Sequence, residues 1–236
     1  MRLAGQLRPA VILGRLNRFA VRVDLDGREE VVHLANSGRL RELLIPGTPA
    51  LLAPRDSPGR KTRFDLLLVR IGGEWVSADA RLPNALVREA LAAGALPPFR
   101  AYPAVRPEVR YGESRVDFLL EGEGGVCLVE TKSVTLVEAG LALFPDAPTL
   151  RGVRHLRTLI GARAEGWQAA VVFVVQRGDA LAFAPNEPAD PLFAQTLREA
   201  AAAGVGVYAY RCRVTPREIR LAGEMPVRLP AGEAGL

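Results

Sequence analysis

A continuous apolar segment, AAVVFVV at residues 169–175, constrains the fold more than any other feature of the chain. Seven residues of this kind are typical of a strand buried on both faces, and they are far too few to span a bilayer. Candidate helices precede and follow this strand, at RGVRHLRTLIGARAEG and DPLFAQTLREAAAAG. Three further strand-like segments lie upstream, so the pattern predicts an α/β domain with a mixed central sheet.

The two ends of the chain differ in their pattern. In the C-terminal part the order of elements is α-β-β-β-α-β-α-β, and its first helix is NALVREALAAGAL, with Asn84 as the predicted cap. The N-terminal part has short strands, a strong hairpin turn at Asp26-Gly27 and a short predicted helix, SGRLRELL. This suits an OB-fold-like all-β barrel, although an SH3-like barrel has a similar pattern. We therefore predict a barrel over 1–82, an α/β domain over 83–230 and a C-terminal tail over 231–236.

The formal net charge of +5 is unevenly distributed. Residues 1–83 contain 14 arginines and lysines against 9 acidic residues, whereas residues 84–236 contain 17 of each. A basic module joined to a neutral one suggests a partner with phosphates, and nucleic acid is the candidate. Because aromatic residues are few in the barrel, we expect contact with the backbone rather than base readout. The candidate contacts are Arg15, Arg18, Arg39, Arg60, Lys61, Arg63 and Phe64.

The sequence contains few features that indicate targeting or redox chemistry. The N-terminus lacks the pattern of a signal peptide, and no segment is long and apolar enough to cross a membrane. Cys127 and Cys212 lie in strand-like segments, and with only two histidines they form no zinc pattern. These features predict a cytoplasmic protein without a membrane partner, and they leave open whether it is a monomer or a homodimer.

One predicted hairpin, RVDFLLEGEGGVCLVETKS at 115–133, carries three charged residues at informative positions. A turn centred between residues 123 and 124 sets Asp117 opposite Glu130, and Lys132 shares the face of Glu130. Two facing carboxylates repel each other, so we expect a cation between them. Mg²⁺, or Mn²⁺ in its place, takes such oxygen ligands, and Lys132 could orient or deprotonate an attacking water.

The chain uses lysine sparingly, with Lys61 and Lys132 beside 29 arginines. A lysine retained close to Glu130 indicates a need for an ammonium group, which can lose its proton when buried, unlike a guanidinium. The Asp, then Glu-x-Lys pattern resembles the core of the PD-(D/E)XK nuclease superfamily, whose αβββαβ order matches residues 84–176. An exposed ion-pair cluster, worth about 0–1 kcal/mol, would give the same short motif. The lysine and the order of elements favour the metal site.

Other polar residues extend this candidate site. Glu89, on the first helix of the α/β domain, is a further candidate metal ligand. Arg151 and His155 are four residues apart and share one face of the next helix, which we expect to be exposed. Arg115 shares the strand face of Asp117, so we expect an ion pair between these two residues.

Longer segments resemble the sugar fermentation stimulation protein A family. YGESRVDFLLEGEGGVCLVETKSVTL at 111–136 and FPDAPTLRGVRHL at 144–156 are similar to its signatures, and NALVREAL and HLANSGRLRELLIPG extend the resemblance over nearly the whole chain. Membership implies an OB barrel, a nuclease-like domain and an association with DNA and sugar use. Two functions therefore stand: Mg²⁺-dependent hydrolysis of DNA by an endo- or exonuclease, or a catalytically silent DNA-binding regulator of sugar metabolism genes.

Overall fold

A computed structural model describes residues 1–3, 5–55 and 59–229. These residues form two six-stranded sheets, a third sheet of three short strands and three α-helices. None of the three helices is long and apolar enough to cross a membrane. The predicted tail over 231–236 lies outside the described residues.

The N-terminal part is a closed barrel of five strands with a sixth strand attached. Its strands are β1 (Arg8–Asn17), β2 (Ala20–Leu25), β3 (Arg28–His33), β4 (Pro49–Pro54), β5 (Phe64–Ile71) and β6 (Glu74–Ser77). They follow the order β3-β2-β1-β4-β5-β6, and a pairing of His33 with Asp65 joins β3 to β5 and closes the barrel. Asp26 and Gly27 both have positive φ and form the two-residue turn that the sequence predicts.

Alternating apolar residues fill the barrel. Ile12, Val23, Leu52 and Leu66 come from four different strands and are fully buried. Full burial of each such side chain contributes roughly 1.5–3 kcal/mol relative to exposure. The period-two pattern of the sequence therefore determines which face of each strand points inward.

The helix predicted at SGRLRELL does not form. Leu40 has a φ of +49°, which interrupts a helix at that point. The backbone N–H groups of Arg39 and Leu40 donate to the carboxylate of Asp146, at 2.6 and 3.0 Å. These two bonds hold the segment as a loop against the C-terminal part.

The C-terminal part is a mixed six-stranded sheet with helices on both faces. Its elements are α1 (Leu82–Ala92), β7 (Ala104–Tyr111), β8 (Ser114–Gly122), β9 (Gly125–Val134), β10 (Val137–Glu138), β11 (Leu141–Phe144), α2 (Leu150–Ala164), β12 (Gln168–Val175), β13 (Ala182–Pro185), α3 (Pro191–Ala202), β14 (Gly206–Val214) and β15 (Ile219–Met225). The large sheet has the order β15-β14-β12-β9-β8-β7, with β12 parallel to both neighbours. The predicted order of elements is present, and the short sheet β10-β11-β13 stands where the sequence predicts loops.

Strand β12 is buried on both faces, as its continuous apolar sequence predicts. On one face Phe173 belongs to a core cluster with Leu156 of α2 and Phe193 of α3. On the other face Val172 belongs to a cluster with Val87 of α1. Strands β12 and β9 are neighbours and occupy the two central positions of the six-stranded sheet.

The barrel docks where β9 and β12 end. The N–H of Ser77 donates to the carbonyl of Gln176 at 3.0 Å, and the side-chain amide of Gln176 donates to the carbonyl of Asp79 at 3.2 Å. The hydroxyl of Thr135 donates to Glu42 at 2.8 Å across the same junction. The barrel therefore lies next to the end of β9 that carries the charged residues of the predicted site.

Candidate metal and nucleic-acid site

The β8–β9 hairpin has the register that its sequence predicts. Its two-residue turn lies at 123–124, and the ladder runs from there to Phe118 and Val129 without a register shift. The next positions along these strands are Asp117 and Glu130. Strand pairing thus places these two residues side by side in the sheet, and the charge of Glu130 acts on the carboxylate of Asp117.

Asp117 is held by two hydrogen bonds where the ladder ends. One carboxylate oxygen accepts the backbone N–H of Thr131 at 2.8 Å, and the other accepts the side-chain amide of Asn84 at 2.7 Å. Burial raises the pKa of Asp117 above its ordinary value and the charge of Glu130 raises it further, against the lowering effect of these hydrogen bonds and of Lys132. A bound cation would stabilise this carboxylate.

Helix α1 presents Asn84, rather than Glu89, to Asp117. The helix begins at Leu82, so Asn84 lies inside its first turn and is not the predicted cap. Glu89 lies five residues further on, and its carboxylate is 3.1 Å from the amino group of Met1. The structure therefore does not bring Glu89 together with the hairpin carboxylates, because five residues of helix turn it to another face.

Arg88 is a residue near the site that the sequence did not reveal. It follows Asn84 by four residues, so it shares the same face of α1. With Asn84, Glu108 and Asp117 it lines a cleft of about 250 Å³. The four-residue spacing from Asn84 could have indicated Arg88, but only if the sequence had shown that Asn84 faces the sheet.

Glu130 belongs to a buried cluster with Lys132 and His155. Its Oε1 accepts from the Nζ of Lys132 at 2.5 Å and is hydrogen-bonded to Nδ1 of His155, which lies 3.3 Å from that Nζ. The three side chains are 5%, 11% and 8% exposed. Burial alone would raise the pKa of Glu130, but the charge of Lys132 and the hydrogen bond with His155 outweigh it and hold the pKa below its ordinary value. Glu130 is therefore ionised at neutral pH.

The prediction of an exposed face for His155 is wrong. His155 is buried, and only Arg151 lies at the surface, with its Nε 3.4 Å from Nε2 of His155. His155 lies three residues after buried Gly152 and four before buried Leu159. That helical spacing places His155 on the inner face of α2, and the same spacing can be recognised in the sequence.

The predicted ion pair between Arg115 and Asp117 is also wrong. Arg115 pairs instead with Glu108 on the neighbouring strand β7. Glu108 has a φ of +55°, a local departure from extended backbone at this position of β7. The carboxylate of Asp117 is thereby left to the amide groups of Asn84 and Thr131.

The donor atoms at this point fit a divalent cation bound by oxygen. Asp117 and Glu130 supply two carboxylates, and the charge of Glu130 raises the pKa of Asp117. Within 1–3, 5–55 and 59–229, no three or more Asp, Glu, His or Cys side chains are grouped as a metal cluster. Two carboxylates, with water and substrate oxygens as the remaining ligands, match the coordination that Mg²⁺ prefers.

Two of the predicted nucleic-acid contacts hold the barrel together. Arg15 donates to the backbone carbonyl of Gly38 at 2.7 Å and to the carbonyls of Asn17 and Arg18, between β1 and β2, at 3.0 and 2.7 Å. Arg60 pairs with Asp65, whose side chain is fully buried. Both guanidinium groups therefore have structural partners that phosphate would have to replace.

The remaining barrel candidates are more accessible. Arg63 is 76% exposed and pairs with Glu30, and its guanidinium lies 5.8 Å from the ring centre of Phe64. Lys61 is exposed in the loop before β5, part of which (56–58) lies outside the described residues. Arg18 and Arg39 line a cavity of about 470 Å³ between the barrel and the α/β domain.

The fold defines a two-domain protein in which an OB-type barrel precedes an α/β domain with a mixed sheet. Residues 13–78 match the family model described as SfsA N-terminal OB domain. Residues 81–218 match the one described as Sugar fermentation stimulation protein RE domain. The chain belongs to the sugar fermentation stimulation protein A family.

Similar proteins extend over both domains. The sugar fermentation stimulation protein homolog of Moorella thermoacetica is 52% identical over 229 residues, which are 96% of this chain and 99% of the relative. The homolog of Symbiobacterium thermophilum is 51% identical over 236 residues, with 93% and 94% covered. A solved structure of Pyrococcus furiosus SfsA in complex with Ca²⁺ is 34% identical, with a TM-score of 0.89 over 97% of this chain and 98% of that chain. The predicted family and fold are confirmed.

Proposed function

We propose that this protein is a metal-dependent nuclease that hydrolyses phosphodiester bonds in DNA. The observation that carries the proposal is the convergence of Asp117, Glu130 and Lys132 at the end of the β8–β9 ladder. The similar protein from Pyrococcus furiosus was solved in complex with Ca²⁺, an ion that also takes oxygen ligands. This likeness supports a cation site formed by the same kind of residues here.

Each residue of the site has a definite chemical role in the proposal. Asp117 and Glu130 would hold Mg²⁺ or Mn²⁺, which when bound would supply positive charge for the phosphate and acidify a water. Asn84 fixes the orientation of the Asp117 carboxylate, and Lys132 and His155 keep Glu130 ionised. The side chain of Lys132 orients the attacking water or offsets negative charge on the phosphate as an ammonium, or accepts the proton of the water as a neutral amine.

The position of the barrel supports nucleic acid as the substrate. The cavity between the two domains is lined by Arg18 and Arg39 and also by Ser133, the residue that follows Lys132. A strand held there would lie beside the proposed metal site. Both cysteines, Cys127 and Cys212, are buried free thiols, which suits the reducing cytoplasm where DNA is present.

The test compares the wild type with Asp117→Asn on supercoiled plasmid and on single- and double-stranded oligonucleotides, with Mg²⁺, Mn²⁺ or EDTA. We expect metal-dependent cleavage by the wild type and a loss of at least about 10²-fold in the variant. DNA binding measured in Ca²⁺ should persist in both proteins. Binding without cleavage by the wild type in either metal would instead favour a DNA-binding regulator with a silent nuclease fold.

A further inference from the structure

Helix α2 carries a row of three arginines on its outer surface, Arg151, Arg154 and Arg157. Residues three apart are neighbours on a helix, so the three guanidinium groups share one broad face. None of them has a carboxylate within 4.0 Å among the described residues. Like charges at this spacing repel each other in an isolated helix, so helix stability does not account for the row.

Much of the positive charge elsewhere is already paired within the protein. In the barrel, the single carboxylate of Asp65 binds Arg55, Arg60 and Arg81. Arg8 of the barrel pairs with Asp26, and the α/β domain has pairs such as Arg106–Glu121 and Arg198–Glu187. The excess charge counted along residues 1–83 is therefore partly neutralised, whereas the charge on α2 is available to a ligand.

The arginine row begins at the proposed catalytic site. The guanidinium of Arg151 lies 3.4 Å from the ring of His155, and His155 contacts both Glu130 and Lys132. From Arg151 the row continues along α2 for about 9 Å, at 1.5 Å per residue. One strand of duplex DNA carries a charge about every 3.4 Å along the axis, so the row matches roughly three phosphates.

The two ends of the row are also defined. Arg154 and Arg157 line a groove of about 580 Å³ that also contains Glu113 and Glu165. Glu165 follows the C-terminal end of α2 and accepts from Tyr111 at 2.6 Å, so the acidic end of the groove lies away from the site. At the opposite end, the N-cap of α2 lines the cavity between the two domains.

We propose that the arginine row of α2 binds the sugar–phosphate backbone of DNA and, with Arg18 and Arg39 in the interdomain cavity, leads the strand past Glu130 and Lys132. The choice of DNA rests on the proposed function. Guanidinium groups suit phosphate because their parallel N–H donors can bind two of its oxygens. Contacts to phosphate carry no sequence information, so this surface binds without sequence preference.

The experiment measures binding of a fluorescent duplex across a series of salt concentrations, in Ca²⁺ without Mg²⁺. The variant is Arg154→Gln with Arg157→Gln, since glutamine keeps the helix propensity and Arg151 is left in place beside His155. The matched control, Arg217→Gln with Arg220→Gln, removes the same charge from exposed positions at the start of β15. Strand β15 forms one edge of the sheet, and β7 forms the other. Melting curves verify that both variants remain folded.

We expect the salt slope of log K to fall in magnitude by about 0.9 for each lost phosphate contact, about 1.8 for the α2 variant. A slope change of about 1.8 corresponds to roughly 60-fold weaker binding by the variant than by the wild type at 0.1 M salt. The loss should be equal for unrelated DNA sequences. The control should bind like the wild type. An unchanged slope in the α2 variant, or an equal loss in the control, overturns the proposal.

Cleavage by the same preparations separates this inference from the proposed function. A wild type that binds DNA through α2 but does not cleave it in Mg²⁺ or Mn²⁺ overturns the nuclease function and supports the arginine row. A wild type that cleaves while the α2 variant binds and cleaves equally overturns the row alone. A wild type that binds no DNA overturns both.

Discussion

Replacing Lys132 with arginine tests whether its ammonium takes part in cleavage. The Nζ of Lys132 lies 2.5 Å from Glu130 and 3.3 Å from His155, and the side chain is 11% exposed. Arginine keeps the positive charge, but its guanidinium is larger and does not release its proton. We expect metal-dependent cleavage to fall by at least about 10²-fold, the lower limit for losing a general acid–base group.

The burial of Lys132 determines how the stability of this variant is interpreted. A surface substitution would change the free energy of unfolding by about 0.5 kcal/mol or less. Lys132 lies in a buried cluster instead, where added volume typically costs about 1–3 kcal/mol. A domain with a free energy of unfolding of about 5–15 kcal/mol tolerates that cost and remains folded at 25 °C. A 10²-fold loss of rate, about 2.7 kcal/mol of activation free energy, is then a separate effect.

The assay is single-turnover nicking of supercoiled plasmid at saturating Mg²⁺, with urea unfolding and Ca²⁺ binding measured on the same samples. Lys61→Arg is the matched control, because Lys61 is the other lysine of the chain and lies exposed in the barrel. We expect the control to cleave like the wild type. Equal cleavage by Lys132→Arg and the wild type would refute the catalytic role of the ammonium.

Two further changes test the structure around the site. Asp65→Asn removes a fully buried charge and should lower the free energy of unfolding by about 1–3 kcal/mol at pH 7 in urea titrations. Burial alone would raise the pKa of Asp65, but hydrogen bonds from Arg81 and Arg55 hold it below its ordinary value. The ionised group therefore stabilises the fold above about pH 3.9, and its contribution disappears as the pH falls through the lower folded-state pKa, so the gap between wild type and variant should close in acid. Asp146→Ala leaves the backbone N–H groups at 39–40 without their acceptor, and hydrogen exchange should become faster there than in β4; unchanged exchange would contradict this.

The fold could be predicted from the sequence where local patterns decide it. The apolar segment at 169–175 indicates a buried strand because its packing follows from its own composition. The loop at 37–44 could not be predicted as a loop, since its backbone groups are bound by Asp146, about a hundred residues further along the chain. Local propensity favoured a helix there, whereas Leu40 adopts a positive φ that interrupts a helix.

The same distinction holds for the candidate site. Asp117 and Glu130 could be placed opposite each other because a two-residue turn determines the register of a hairpin. The contributions of Asn84 and His155 depend on how α1 and α2 rotate against the sheet, and Glu89 was misplaced for the same reason. Helical spacing restricts which residues share a face, but packing decides which face meets the sheet.

Asp117 offers a measurement of stability that separates a cleavage site from a silent fold. Burial and the charge of Glu130 raise its pKa, so the folded-state pKa exceeds the unfolded one and ionisation destabilises the fold as the pH rises past about 3.9. Asparagine keeps the shape, accepts from the N–H of Thr131 and can still bond to Asn84, without the charge. Without divalent cation at pH 7, we expect Asp117→Asn to unfold at the same urea concentration as the wild type or a higher one, with the difference vanishing in acid. A carboxylate that destabilises the fold is explained by a metal site and is not explained by a silent scaffold. A variant that unfolds more readily than the wild type would contradict this reasoning.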